Sequence, residues 1–264
     1  MHRIHWKWIA VAAAFWVSFA QARPASAMEP TLTWLGHAAF KYTTRQGKVL
    51  LIDPWITNPK APKNVSFKNV DGILVTHGHS DHVGEAFELA KKYGAPIVAS
   101  YELTQIAVKH GVKNVLPLNP SGSVELAGVK ITAVQAVHSS SYADGDALLY
   151  AGAPLGFILE EYGSATLYHA GDTGLFEDMM LIGQMYQPSV AMLPIGGVYT
   201  MKPAEAARAA QLLTSRTIIP IHYGTFPALT GTPAELKKEM AHLNVLSNVR
   251  ELTPGVEIKI KDLL

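Results

Sequence analysis

The chain is expected to fold as an α/β protein with two mixed sheets and helices on their outer faces. Three observations lead there. Short β-branched apolar runs recur along the 264 residues, amphipathic helical stretches separate them, and a strand-rich early part gives way to alternating strand and helix. Several runs are apolar throughout, which suits strands covered on both faces.

Taken in chain order, Leu32 to Leu35, Val49 to Ile52 and Gly72 to Val75 read as strands. A helix over Glu85 to Tyr93 follows, stopped by Gly94, then a strand at Pro96 to Ala99 and a helix over Tyr101 to His110, stopped by Gly111. Further strands are expected at Val129 to Val137, Gly156 to Leu159, Ala165 to Tyr168, Val190 to Leu193, Ile218 to Ile221 and Val256 to Ile260. Helices are expected at Leu175 to Tyr186, Pro203 to Leu213 and Pro233 to Leu243, the last two opening on proline, whose fixed φ suits a first turn. No internal linker, repeat or low-complexity tract interrupts this alternation.

Residues 1–27 have the layout of a secretory leader: Arg3 and Lys7, a largely apolar run from Ile9 to Ala20, then Ala25-Ser26-Ala27. The run is short for a membrane helix, which needs about 20 residues. Release after Ala27 is expected, with an exported, periplasmic or secreted address. An uncleaved anchor, or a start at Met28, are the alternatives. The remaining residues 28–264 suffice for one domain with a full core. Taking Arg3, Lys7 and Arg23 from 22 basic residues leaves 19 against 21 acidic ones. Such a balance does not suit nucleic acid, which calls for a basic stripe. The expected partner is a small molecule, with no stable membrane span after leader cleavage, and nothing in the chain argues against a homo-oligomer. There is no cysteine, so thiolate is not available as a ligand.

The run Thr76-His77-Gly78-His79-Ser80-Asp81-His82-Val83-Gly84 packs three imidazoles and a carboxylate into six residues. That makes poor core and an unusual loop, but it supplies neutral nitrogen and hard oxygen ligands for zinc and its first-row neighbours. Three later apolar runs also end in a ligand type: His138, Asp172 and His222. Sites of α/β folds gather at the carboxyl ends of strands, so one shared pocket is expected. His77, His79 and His138 suit one metal and Asp81, His82 and His222 a second, with Asp172 bridging. Two cations about 3.5–4 Å apart can hold a hydroxide between them, because coordination lowers the pKa of water from 15.7 to about 7.

These residues resemble the ordered motifs of the metallo-β-lactamase superfamily: His77-x-His79-x-Asp81-His82, His138, Gly171-Asp172-Thr173 and His222. A narrower resemblance is to the metal-dependent hydrolases related to ascorbate-6-phosphate lactonase. Its carriers are Trp34-Leu35-Gly36-His37, Ile52-Asp53-Pro54, Val137-His138 with the following serines, His169 to Gly174, Leu193 to Gly197 and Pro220 to Thr225. The resemblance runs from about Thr31 to the end. It implies a four-layer αββα sandwich with a binuclear site between the sheets, and it carries seven metal ligands onto His77, His79, Asp81, His82, His138, Asp172 and His222. Metallo-β-lactamases proper often use cysteine, so antibiotic cleavage is not implied. The flavodiiron branch usually has Glu where this chain has His79, which argues against a redox iron site.

The functional expectation is a hydrolase holding two divalent ions, zinc first with manganese or iron tolerated, that turns hydroxide on a small ester, lactone or phosphoester. Asp81 and Asp172 are the expected catalytic carboxylates. A β-lactam amidase and a non-catalytic metal-binding protein are the alternatives; seven ligands for two metals leave room for water, whereas a structural zinc is closed by four. His37 reads as a substrate or supporting group, or as a core histidine. Asp53 reads as a brace for a ligand imidazole or as an Asp-Pro turn. Tyr199 and Tyr223 are candidate donors to a developing oxyanion. His169 is expected to pack near Asp172 without binding metal, and His110 and His242 to be structural or surface groups.

Overall fold

In the computed structural model, which describes residues 28–264, the first half of the chain carries nine elements. They are β1 (Thr31–Trp34), β2 (Phe40–Thr43), β3 (Val49–Ile52), β4 (Gly72–Leu74), α1 (Ser80–Val83), α2 (Ala86–Tyr93), β5 (Ile97–Ser100), α3 (Tyr101–Lys109) and β6 (Val115–Leu118). Then come β7 (Ser123–Leu126), β8 (Val129–Gln135), the hairpin β9 (Ser141–Asp144) and β10 (Ala147–Tyr150), β11 (Leu155–Glu161) and β12 (Leu167–His169). The chain finishes with α4 (Met179–Tyr186), β13 (Val190–Pro194), α5 (Pro203–Leu213), β14 (Thr217–Ile221), α6 (Pro233–His242), β15 (Asn248–Val249), β16 (Glu257–Lys259) and a 3₁₀ turn over Ile260–Leu263. The leader expected at residues 1–27 lies outside the described residues. Among the described residues no helix is long and apolar enough to cross a membrane.

Two seven-stranded mixed sheets result, ordered β16-β1-β2-β3-β4-β5-β6 and β15-β14-β13-β12-β11-β8-β7. Successive side chains on a strand point to opposite faces, and the first sheet uses both. Leu50, Ile52, Leu74 and Val98 enter the core between the sheets, while Leu51, Ile73, Ile97 and Ala99 meet α2 and α3 on the outside. The second sheet is covered on its outer side by α4, α5 and α6, whose alanine-rich faces (Ala206, Ala207, Ala209 and Ala210) let α5 lie close. The sandwich is tied across its middle by Tyr42 of β2, whose buried hydroxyl donates to Glu161 of β11 at 2.6 Å.

Strand direction decides where the site lies. β1 and β3 are each antiparallel to β2, so they point the same way, and β4 is parallel to β3. By the same logic β8, β12, β13 and β14 share one direction. The chain therefore leaves β1, β3, β4, β8, β12 and β14 at carboxyl ends, followed by His37, Asp53, His77, His138, Asp172 and His222 respectively.

Some elements differ from expectation for visible reasons. β8 stops at Gln135 because Val137 bonds a loop instead of a strand: its N–H donates to Thr173 Oγ1 at 3.0 Å and its carbonyl accepts from Gly174 at 2.9 Å. That same stitching holds the chain after Asp172, and α4 begins only at Met179. Strands β2, β6, β7, β9, β10 and β15 were not anticipated; β9 and β10 are largely exposed and β15 has two residues, so apolar patterning is weak.

Candidate metal centre

The loop after β4 and the start of α1 bring four potential ligands, three imidazoles and a carboxylate, into six residues. His77 is fully buried, Gly78 follows, and His79 caps α1 through its carbonyl, which accepts from His82 and Val83 at 3.1 and 2.9 Å. Gly78 is needed because a Cβ there would sit 2.4 Å from Ala151 Cβ and 2.8 Å from the Ser141 carbonyl. Gly171, at φ 60°, is equally confined: its Cβ would lie 2.8 Å from Thr76 Cβ. The loops bearing His77 and Asp172 are thus pressed together by residues without side chains.

Three groups of ligand atoms converge, each with its members within 4.8 Å of one another: His77, His79 and His138; His37, Asp81, His82 and His222; and His77, His82 and Asp172. Within the first, His77 Nε2 lies 2.9 Å from His79 Nδ1, and the His138 ring centroid is 5.1 and 5.2 Å from those of His77 and His79. Asp172 touches both sides. Its Oδ2 is 3.6 Å from His138 Nε2 and 3.0 Å from His222 Nε2, and its Oδ1 is 3.2 Å from His82 Nε2. All seven expected ligands therefore share one site.

Behind the ring of ligands, Asp53 occupies a left-handed conformation at φ 43° and is fully buried. One of its oxygens accepts from Thr76 N at 2.8 Å; the other meets Thr76 Oγ1 and His82 Nδ1, each at 2.7 Å. This leaves His82 Nε2 facing Asp172, so the carboxylate fixes the tautomer and aim of the imidazole. His37, at φ 53°, sits between Thr225 and Asp81: Nδ1 is 2.6 Å from Thr225 Oγ1 and Nε2 is 3.1 Å from Asp81 Oδ2. Burial pushes its pKa down to about 4, against the pull of Asp81. It is therefore neutral at pH 7, and with its Nε2–H donating to Asp81 it orients that carboxylate. Its carbonyl accepts from His222 N at 3.2 Å, joining the β1–β2 turn to the end of β14.

Electrostatics separate the imidazoles into two sets. Burial lowers the pKa of His77, His79 and His138, leaving them neutral. Burial acts the same way on His82 and His222, but Asp172 overrides it: His82 is held well above the ordinary imidazole range and His222 is pushed up to about 9. Asp172 and Asp81 are held below the ordinary carboxyl range despite burial, Asp172 by His82 and His222 and Asp81 by the nearness of His222 and its bond to His37.

Whether these residues suit a metal is tested by their orphaned atoms. Among the described residues His82 Nε2, Asp172 Oδ1 and both nitrogens of His222 are buried without a hydrogen-bond partner, although they lie near one another. Buried polar atoms are normally satisfied. Ligand atoms that converge at 3.0–3.6 Å without hydrogen-bond geometry are what a cation between them explains. Nitrogen and carboxylate donors without thiolate fit a divalent first-row ion.

A cavity of about 320 Å³ opens onto His79, Asp81, His138, Asp172 and His222, walled by Tyr199, Phe226, Leu148 and Ala143. Tyr199 thus stands at the site. Tyr223 does not, and its expected role there is corrected: its ring stacks on Trp34 at 5.8 Å and carries Lys60 Nζ at 4.0 Å in a different cavity. With His222 at φ 53° and Gly224 at φ 62°, the chain turns sharply after β14 and adjacent side chains diverge. His169 spends both nitrogens on backbone, at Ala38 O (2.9 Å) and Gly171 N (3.1 Å), and serves packing. His110 sits 3.4 Å from Asp144, and His242 is on the surface. Thr225, Thr76 and Phe226 were not singled out from sequence, since a hydroxyl or a phenyl ring carries no signal until its neighbour across the fold is known.

Comparison with known proteins gives a consistent result. A family described as the beta-lactamase superfamily domain matches residues 48–223. The UPF0173 metal-dependent hydrolase of Koribacter versatilis is 46% identical over 226 residues, covering 85% of this chain and 95% of the relative. Its counterpart in Myxococcus xanthus is 49% identical over 227 residues, covering 85% of this chain and 81% of the relative. A solved metallo hydrolase from the archaeon Ignicoccus hospitalis superposes with a TM-score of 0.76 at 36% identity, covering 87% of this chain and 97% of that one.

Proposed function

The chain belongs to the β-lactamase superfamily, within its UPF0173 metal-dependent hydrolases, and from that membership we propose that it cleaves a small ester, lactone or phosphoester at two divalent ions. It is a metal-dependent hydrolase, and the non-catalytic alternative gives way. The proposed holders are His77, His79 and His138 on one side and Asp81, His82 and His222 on the other, with Asp172 between. The observation that supports this reading best is the single carboxylate of Asp172 in reach of His138, His222 and His82.

Divalent ions bound there supply Lewis acidity, lowering the pKa of water to about 7 and polarising a carbonyl or phosphoryl oxygen. The chain's own residues do the remainder. Asp172, buried and held as a carboxylate, keeps the two imidazole groups at fixed spacing. Asp81, whose side chain is 21% exposed, is oriented by His37 and offers a path for the proton to solvent. Burial around His77 and His82 excludes competing water. Tyr199, which lines the cavity, is the proposed donor to charge gathering on the substrate oxygen. Zinc is proposed first, with manganese or iron as substitutes. Export through a leader over residues 1–27 is part of the same reading, and the amino-terminal sequence of the mature protein would test it.

The test is elemental analysis of metal per chain, followed by an ester, lactone and phosphodiester screen on protein reloaded with zinc, manganese or iron. Near two equivalents and turnover abolished in Asp81→Ala and His222→Ala, with folding intact, are expected. One equivalent, or unchanged turnover in both variants, would refute the binuclear assignment.

A further inference from the structure

Away from the ligands, the cavity over the metal centre is walled by Ser80, Ser141, Ala143, Leu148, Tyr199 and Phe226. Two hydroxyl-bearing serines, two aromatic rings and two aliphatic side chains make up this wall, and no lysine or arginine is among its lining residues. Resting on the hydrolase reading above, we propose that the substrate is uncharged beyond its reacting bond and carries an apolar, aryl or alkyl substituent held by Leu148, Tyr199 and Phe226.

The wall is built to hold its place. Phe226 stacks on Trp55 with centroids 5.7 Å apart and planes at 17°, and both rings abut His37 edge-on. Tyr199 follows Val198, a β-branched residue at φ 61°, where such side chains are strained, and its N–H donates to the Gly197 carbonyl at 2.7 Å. Strain of this kind persists where the surroundings fix it, and here it aims a ring at the cavity. Leu148 comes from the β9–β10 hairpin, which lies outside both sheets and is braced by Tyr142 against Phe87 and His110, at 5.6 and 5.3 Å.

These apolar groups remain open to water: Leu148 is 74% exposed, Tyr199 58% and Phe226 37%. Exposed large apolar side chains gathered at one mouth mark a surface that something covers. Burying them against an apolar substituent is favourable, because it takes apolar surface out of water. A distal anion in the same place would lose water without gaining a cation, which costs free energy. Lys60 is turned onto the Tyr223 ring in another cavity. At about 320 Å³ the space is at the small end of ligand pockets, roughly 300–1,000 Å³.

The experiment uses the metal-loaded full chain with phenyl butyrate and its 4-sulfonate. Water cleaves the acyl–oxygen bond of either ester to give butyrate, the phenol and a proton. A sulfonate makes the phenol a better leaving group, so intrinsic reactivity runs against the expected order. We expect kcat/KM to favour the uncharged ester at least about tenfold, the scale on which pockets discriminate. Leu148→Lys and Tyr199→Lys, each checked for native thermal unfolding, should narrow that ratio about threefold, as an exposed ion pair would. Equal or faster turnover of the sulfonate overturns the proposal. If neither ester is hydrolysed, the hydrolase reading has failed for esters, and binding of butyl phenyl ether and its 4-sulfonate, followed by Trp fluorescence, decides: tighter binding of the uncharged ether supports the proposal, equal or tighter binding of the sulfonate overturns it.

Discussion

Asp53 shows how one buried side chain can set the chemistry of another. Its two oxygens accept from Thr76 N, Thr76 Oγ1 and His82 Nδ1, so every neighbour is a donor. In Asp53→Asn one of those donors would face an amide NH₂. Either the Thr76 contact opens or His82 changes tautomer and loses the Nε2 lone pair that would hold a metal ion. Loss of such a supporting carboxylate typically weakens metal binding about 10–100-fold. We expect that loss for one of two equivalents, read by competition with a chromophoric chelator, while circular dichroism of the metal-free protein stays native. Equal affinity for both equivalents would show that packing alone sets the His82 ring. From sequence, Asp53-Pro54 was legible as either a brace or a turn; only the approach of β3 to the β4 loop separates the two.

Elements carry the fold through a few contacts between the sheets, and two substitutions probe them. Tyr42→Phe removes the hydroxyl that donates from β2 to Glu161 of β11 and leaves that carboxylate its Arg45 N–H at 2.7 Å. Hydrogen bonds to a charged group contribute about 1.5–3 kcal/mol. A loss of that size in urea unfolding, with turnover retained, is expected; no change would mean water replaces the hydroxyl. Gly78→Ala tests the loop against the hairpin. A methyl 2.4 Å from Ala151 Cβ must displace Ser141 and β9 or the His77 loop itself, and overpacking costs about 1–3 kcal/mol. Reduced metal content and reduced stability together are expected. The strands of the sheets were largely legible because their residues are apolar on both faces, as in Val49 to Ile52. The β9–β10 hairpin was not, since Ser141-Tyr142-Ala143-Asp144 offers no apolar alternation and belongs to neither sheet. The walls of the cavity were hidden because they are made across the fold: Phe226 and Trp55 become partners only when the loop after β3 meets the loop after β14.

At the scale of the whole molecule, the seven ligands were legible because four apolar runs each lead into one of them, and their separation along the chain makes the centre a clasp between the two sheets. Its response to pH should differ with and without metal. In the metal-free protein His82 and His222 are held protonated against Asp172, His222 up to about 9. A group whose folded pKa is raised contributes stability that is full below its unfolded value, about 6.5, and lost as pH rises through the folded value. Metal-free protein should therefore lose stability between about pH 6.5 and 9. Metal binding requires the same two imidazoles to be neutral and so releases their protons, whereas His77, His79 and His138 are already neutral. Rising pH must then strengthen binding, which offsets in the loaded protein the stability that the metal-free protein loses. Thermal unfolding from pH 6.5 to 9, with excess zinc or with EDTA, should show the gap between the two midpoints widening as pH rises. Calorimetry in buffers of differing ionisation enthalpy should find net proton release on binding at pH 7, with His222's share vanishing above its pKa of about 9. A gap that stays constant, or binding without proton release, would mean that Asp172 does not pair with His82 and His222 in the metal-free state.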